Sequence, residues 1–203
     1  MRRHSLSLLF VPLLVFTLSS HTLAATRPTS GLVTLLAHDD LQSSFSFRTG
    51  TFGALVRDSE ILLDDAQLVY HLFAEDMLSY GFVRSEFVSV LDLGNLVVSG
   101  IEYSTDLAPK PPLNIFYTLF FDGGGFKYKG PLNRIYRLSE AQALVSAVPP
   151  PGLSHFEPRV GHTYLLKVQR RAGYGDPTPQ FFKFLIIDFE PGHQVTFRWG
   201  YLR

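Results

Sequence analysis

The last forty residues constrain the fold most. Gln194–Tyr201 alternates residue by residue, with Val195, Phe197, Trp199 and Tyr201 on one face and Gln194, Thr196 and Arg198 on the other. Thr163–Arg170 sets Tyr164, Leu166 and Val168 against Lys167 and Gln169. Residues 180–189 are largely apolar, and Lys183 marks an outward position there. Residues 171–179 hold two glycines and two prolines, and Glu190-Pro191-Gly192-His193 has turn composition. A period of two broken by turn residues predicts a three-strand antiparallel meander.

The earlier chain carries the same rhythm. Short apolar runs at 52–56, 61–63, 68–73, 87–91 and 96–103 are separated by Asp, Gly and Ser. Such spacing suits a sandwich or barrel. Residues 31–38 are apolar on both faces at Leu35 and Leu36, which predicts a central strand. In 66–73, Val69, Tyr70 and Phe73 favour a strand over a helix. Residues 107–113 contain three prolines and read as a crossing loop. Residues 115–121 and 126–128 flank Asp122-Gly123-Gly124-Gly125, a hairpin signature. Ser139-Glu140-Ala141-Gln142 has capping-box form, and three prolines from Pro149 stop the helix it would start. The expected fold is therefore all-β, an antiparallel sandwich or barrel with one short helix near 140–148. It occupies a single domain over 25–203.

The first 24 residues read as a cleaved secretory signal. Arg2 and Arg3 precede an apolar run from Leu6 to Leu18, and small or polar residues follow to Ala24 and Ala25. The run falls short of the roughly 20 residues that span a bilayer, and Pro12 weakens it further. Cleavage is expected after Ala24 or Ala25, with a secreted or periplasmic destination. No cysteine occurs, so the core must stand without disulfides, and no lipid-bearing cysteine follows the cut. The mature chain has no further run long enough to span a membrane.

Charge argues against nucleic acid as a partner. The full chain has 18 basic and 18 acidic residues, and loss of Arg2 and Arg3 leaves 16 against 18, a balance of −2. Aromatic residues make up 14% of the chain, and most are expected in a β core. Tyr103 and Tyr174 alternate outward and are candidate ligand-facing residues.

No motif points to a reaction. There is no G-x-S-x-G elbow and no cysteine nucleophile. His38-Asp39-Asp40 places three potential ligands in a row, but adjacent strand residues point to opposite faces, so a turn explains them better than a metal site. Gly123-Gly124-Gly125 lacks the Lys and Ser/Thr of a phosphate loop. Glu75, Asp76 and Glu86 are carboxylates without diagnostic spacing.

Residues 161–167 (GHTYLLK), 181–186 (FFKFLI) and 194–199 (QVTFRW) resemble the C-terminal strands of exported bacterial β-proteins such as the HmuY-like haem-binding proteins. The resemblance covers about a fifth of the chain and implies haem as an alternative ligand, with His38, His71, His155, His162 or His193 available to hold it. The main expectation is an exported, non-catalytic domain that binds a protein partner or small ligand and needs no cofactor. A haem or small-ligand carrier and a hydrolase with unrecognised acid and base groups are the alternatives.

Overall fold

A computed structural model describes residues 28–52, 55–57, 60–62, 66–98, 113–146 and 152–203. In chain order the first strands are β1 (Ser30–Leu36), β2 (Ser44–Ser46), β3 (Thr51–Phe52), β4 (Leu55–Arg57), β5 (Glu60–Leu62), β6 (Leu68–Tyr70), β7 (Leu78–Tyr80) and β8 (Glu86–Asp92). Then come β9 (Val97–Val98), β10 (Leu113–Asn114), β11 (Leu119–Phe121), β12 (Phe126–Lys129) and β13 (Ile135–Arg137). The helix α1 (Ser139–Ser146) follows, and β14 (Ser154–Phe156), β15 (Thr163–Arg170), β16 (Gln180–Glu190) and β17 (Gln194–Tyr201) complete the chain.

The C-terminal meander forms as its alternation predicts and makes the centre of a five-stranded antiparallel sheet, β1-β17-β16-β15-β8. A second sheet, β14-β7-β6-β2-β3, packs on one face. The sheets are open, so the fold is sandwich-like and not a barrel. The residues 1–24 read as a signal, with Tyr103 and the 107–112 loop, lie outside the described residues.

Between the two sheets lies an aromatic core. Phe47 is fully buried at its centre, with the rings of Phe45, Phe182, Phe184, Phe197 and Trp199 between 5.1 and 6.0 Å away. Tyr164, Leu166 and Val168 enter this core from β15, and Val195, Phe197 and Trp199 from β17. The alternation read from sequence thus points the way expected.

The opposite face of the central sheet departs from expectation. Lys167 and Lys183 were expected to mark a solvent face; instead a second core lies there. Leu165 and Phe181 pack against Ile115, Leu119 and Phe126, and against Leu138, Ala141 and Leu144 around α1. A three-stranded sheet, β11-β12-β13, and α1 form this outer layer. Lys183 Nζ donates to the carbonyls of Phe116 and Leu119 at 2.6 and 2.7 Å. Lys167, almost fully buried, donates to the Val145 carbonyl at 3.0 Å, in the last turn of α1. A cation suits that end of a helix dipole. The two lysines therefore bind the outer layer's carbonyls to the sheet while their stems cross the apolar interface.

Other corrections are local. β1 is an edge strand, not a central one. Its apolar outer residues are tolerated because Leu32 stays exposed while Leu35 alone is fully buried. The strand expected over 68–73 ends at Tyr70, because His71 adopts φ +63° and turns the chain. Residues Ile115–Tyr117 open the hairpin with a 3-10 turn. α1 begins as the capping pattern suggests, but Gln142 Nε2 donates to the carbonyls of Phe126 and Leu138. Gly125, at φ +144°, lets Gln142 approach: a Cβ there would lie 2.1 Å from Gln142 Oε1.

Two outcomes test this arrangement. Phe47→Ala should cost about 3–5 kcal/mol of unfolding free energy, read by urea denaturation, because it empties the centre of the aromatic core. Lys183 supplies a pH signature. Burial pushes its ammonium from 10.5 down to about 8. Below about 8 the folded and unfolded states both hold the proton and the burial cost is fully present. Between about 8 and 10.5 the folded state releases its proton first, so stability rises with pH. Tyr70 and Tyr164, raised by burial from 10.0 to about 12, act oppositely above pH 10. The stability of the parent relative to Lys183→Met should therefore rise between about pH 7.5 and about pH 9.5. A difference independent of pH would contradict the burial of this charge.

Candidate functional site

One end of β15 carries the most developed polar site. Glu86 opens β8 directly opposite Arg170, the last residue of β15. Its carboxylate is 1% exposed and meets Arg48 Nη1 at 2.9 Å and Arg170 Nε at 3.9 Å. Gln67, fully buried, completes the set: its Nε2 donates to Glu86 at 2.7 Å, and its Oε1 accepts the Arg48 backbone N–H at 3.4 Å. Arg48 arrives from the turn after β2, and Gln67 from the residue before β6. A charge removed from water this completely is sustained only by such a set of partners.

Arg48 and Arg170 of this network line a cleft of about 560 Å³. Thr49, Asp176, Thr178, Gln180, Tyr201 and Arg203 are the other polar residues that line it. Arg170 reaches under the 171–179 loop because Gly175 leaves room: a Cβ there would lie 2.5 Å from Arg170 Nη1. Gln180 Oε1 is buried at the wall and meets no donor among the described residues. Thr178 donates to Asp176 Oδ1 at 2.9 Å and holds that exposed carboxyl below its usual range. The cleft falls within the roughly 300–1,000 Å³ range of small-molecule sites, and its lining is mostly polar, with Val168 and Pro179 the apolar members. Guanidinium groups fixed by a buried carboxylate are preorganised donors for carboxylate or phosphate oxygens.

A smaller cleft of about 240 Å³ lies at the other end of β15, about 20 Å away along the strand. Tyr80, Phe156 and Tyr164 line it, with Asp92 and Glu157 at the rim. The Tyr164 hydroxyl is buried there without a hydrogen bond of ordinary geometry among the described residues; burial, then the Asp92 charge, raises it to about 12. His162 Nδ1 lies 3.0 Å from the Asp92 carboxylate.

The candidates named from sequence are scattered. Asp39 Oδ1 accepts the N–H groups of Leu41 and Gln42 at 2.9 and 3.0 Å and shapes the turn after β1. His38 sets its ring edge-on to His71 at 5.1 Å, and Asp40 is exposed. Tyr174 is exposed on the 171–179 loop that borders the larger cleft. Tyr103 lies outside the described residues. His155 Nδ1 lies 2.8 Å from Ser79 Oγ, and His71 Nδ1 accepts the Asp76 N–H at 3.1 Å. Among the described residues, no three His, Cys, Asp or Glu side chains are grouped to hold a metal ion. Sequence reasoning missed Arg48, Gln67 and Arg170, and considered Glu86 only as a generic acid. The one usable signal was a lone glutamate opening an apolar strand, where burial forces a cationic partner.

Removing one member of the network should be costlier than replacing the pair. Glu86→Leu is expected to lose about 3–5 kcal/mol, while Arg48→Met with Glu86→Leu should lose less than the sum of the single changes in urea unfolding. Additive losses would show that the two side chains are not coupled. No protein-family model matches this chain, and neither a curated protein nor a solved structure does.

Proposed function

We propose that the protein is a non-catalytic binding domain that holds a small anionic ligand, bearing carboxylate or phosphate groups, in the Arg48–Arg170 cleft. The observation that supports this reading is the buried Glu86, which pairs with Arg48 at 2.9 Å and lies 3.9 Å from Arg170, so that two guanidinium groups line a ligand-sized cleft beside it. Thr49, Thr178 and Gln180 add neutral polar groups suited to orienting such a ligand. The basic, apolar and small-residue order of the first 24 residues supports export, so the ligand would be met outside the cytoplasm.

A haem-carrying role is the second reading, and it rests on the C-terminal strands. His71, His155 and His162 each have a ring nitrogen within hydrogen-bond distance of Asp76, Ser79 or Asp92, so taking up haem would disturb existing contacts. A Soret band that appears on adding haem and is lost with one histidine would favour it.

Thermal unfolding with citrate or inorganic pyrophosphate, at ionic strength matched with chloride, tests the anion reading. At 100 times Kd a ligand adds about 2.7 kcal/mol, which is about 5–10 °C in Tm for a chain of this size. Arg170→Ala should abolish that shift. If neither anion raises Tm beyond chloride, the cleft does not select anions.

A further inference from the structure

The outer layer ends in an arm that neither cleft uses. Strands β12 and β13 run antiparallel, with Lys127 opposite Arg137, Tyr128 opposite Tyr136 and Lys129 opposite Ile135. All seven residues from Pro131 to Arg137 are exposed. At the apex the Arg134 N–H donates to the Pro131 carbonyl at 3.1 Å, across Leu132 and Asn133 at φ +54° and +56°. A leucine rarely adopts the left-handed region. Here that conformation presents an apolar side chain, 61% exposed, at the very tip.

The charges on this arm share one sign. Between Gly123 and Leu138 the chain has Lys127, Lys129, Arg134 and Arg137 and no acidic residue. Asp122 pairs with Lys127. Lys129, Arg134 and Arg137 form no ion pair among the described residues. Strand alternation puts Lys127, Lys129, Ile135 and Arg137 on one face, while Phe126 and Tyr128 face the second core. Lys127 and Arg137 stand directly opposite one another, and the Asp122 carboxylate at Lys127 offsets part of their repulsion.

We infer that this hairpin docks the protein peripherally on an anionic lipid bilayer, with Leu132 and Ile135 entering the acyl boundary and Lys129, Arg134 and Arg137 meeting headgroup phosphates. Charge complementarity and the apolar apex carry the inference together: cations alone would serve any polyanion, but Leu132 and Ile135 beside them need an apolar phase. The size of the tip argues for lipid over a protein partner, because a standard protein interface takes roughly 20–30 residues a side. Tyr136, exposed beside the tip, supplies an amphipathic ring that favours the headgroup level.

The test uses the full chain and vesicles of phosphatidylcholine with or without 30% phosphatidylglycerol (about one anionic lipid in three, as a charged leaflet presents). The chain has no cysteine, so Leu132→Cys carries a unique environment-sensitive fluorophore. Its emission should shift blue with the anionic vesicles and not with phosphatidylcholine. Arg134→Gln with Arg137→Gln should lower the partition coefficient about 25-fold, fivefold for each lost cation. Leu132→Asp should weaken binding with the fold intact by circular dichroism. The N-terminal apolar run is common to every variant, so binding that ignores all these changes would overturn the inference. So would an unshifted label, or a hairpin that binds duplex DNA and not vesicles.

Discussion

The structure depends on a sheet that must be covered on both faces. β15, β16 and β17 place apolar side chains alternately above and below, with Phe181 on one side and Phe182 and Phe184 on the other. A second sheet covers one face through the Phe47 cluster. The β11–β13 sheet and α1 cover the other. The two lysines make that second cover specific: an apolar layer can slide, whereas Lys167 and Lys183 must meet particular carbonyls. Burying those cations is costly, and the cost is reduced by bringing the carbonyls of Val145, Phe116 and Leu119 to them.

The same geometry produces the clefts. At the end of β15 the strands leave the sandwich, and the backbone register brings Glu86 beside Arg170. Arg48 and Gln67 then approach from the second sheet, so the network joins the two sheets at their rim. A polar set this buried is rigid by necessity, since each member loses its partner if it moves. Rigidity of that kind suits recognition of a planar anion more than proton transfer, and it underlies the reading of the protein as a binder.

The hairpin arm is built on the opposite logic. Its root, Phe126, is buried in the second core, while its tip carries no core role. Apolar and cationic side chains are free to face outward there because the layer beneath is already complete. Cleft and arm thus use separate parts of one fold, and neither needs the other to move.

The sequence by itself determined the strands of the C-terminal meander, the β character of 68–70, the Gly-rich hairpin turn and the helix from Ser139, because each is a matter of local periodicity and backbone preference. It also determined which face of β15 and β17 meets the main core. Tertiary structure decided the rest. Lys183 resembles an outward residue in its own strand, and only the arrival of residues 115–146 over the sheet makes it buried. The cleft at Arg48 and Arg170 escaped notice for the same reason: Arg48, Gln67, Glu86 and Arg170 span more than a hundred positions, and their pairing is a property of strand register. Local pattern states what a residue prefers; which neighbour it meets is settled by how the layers close.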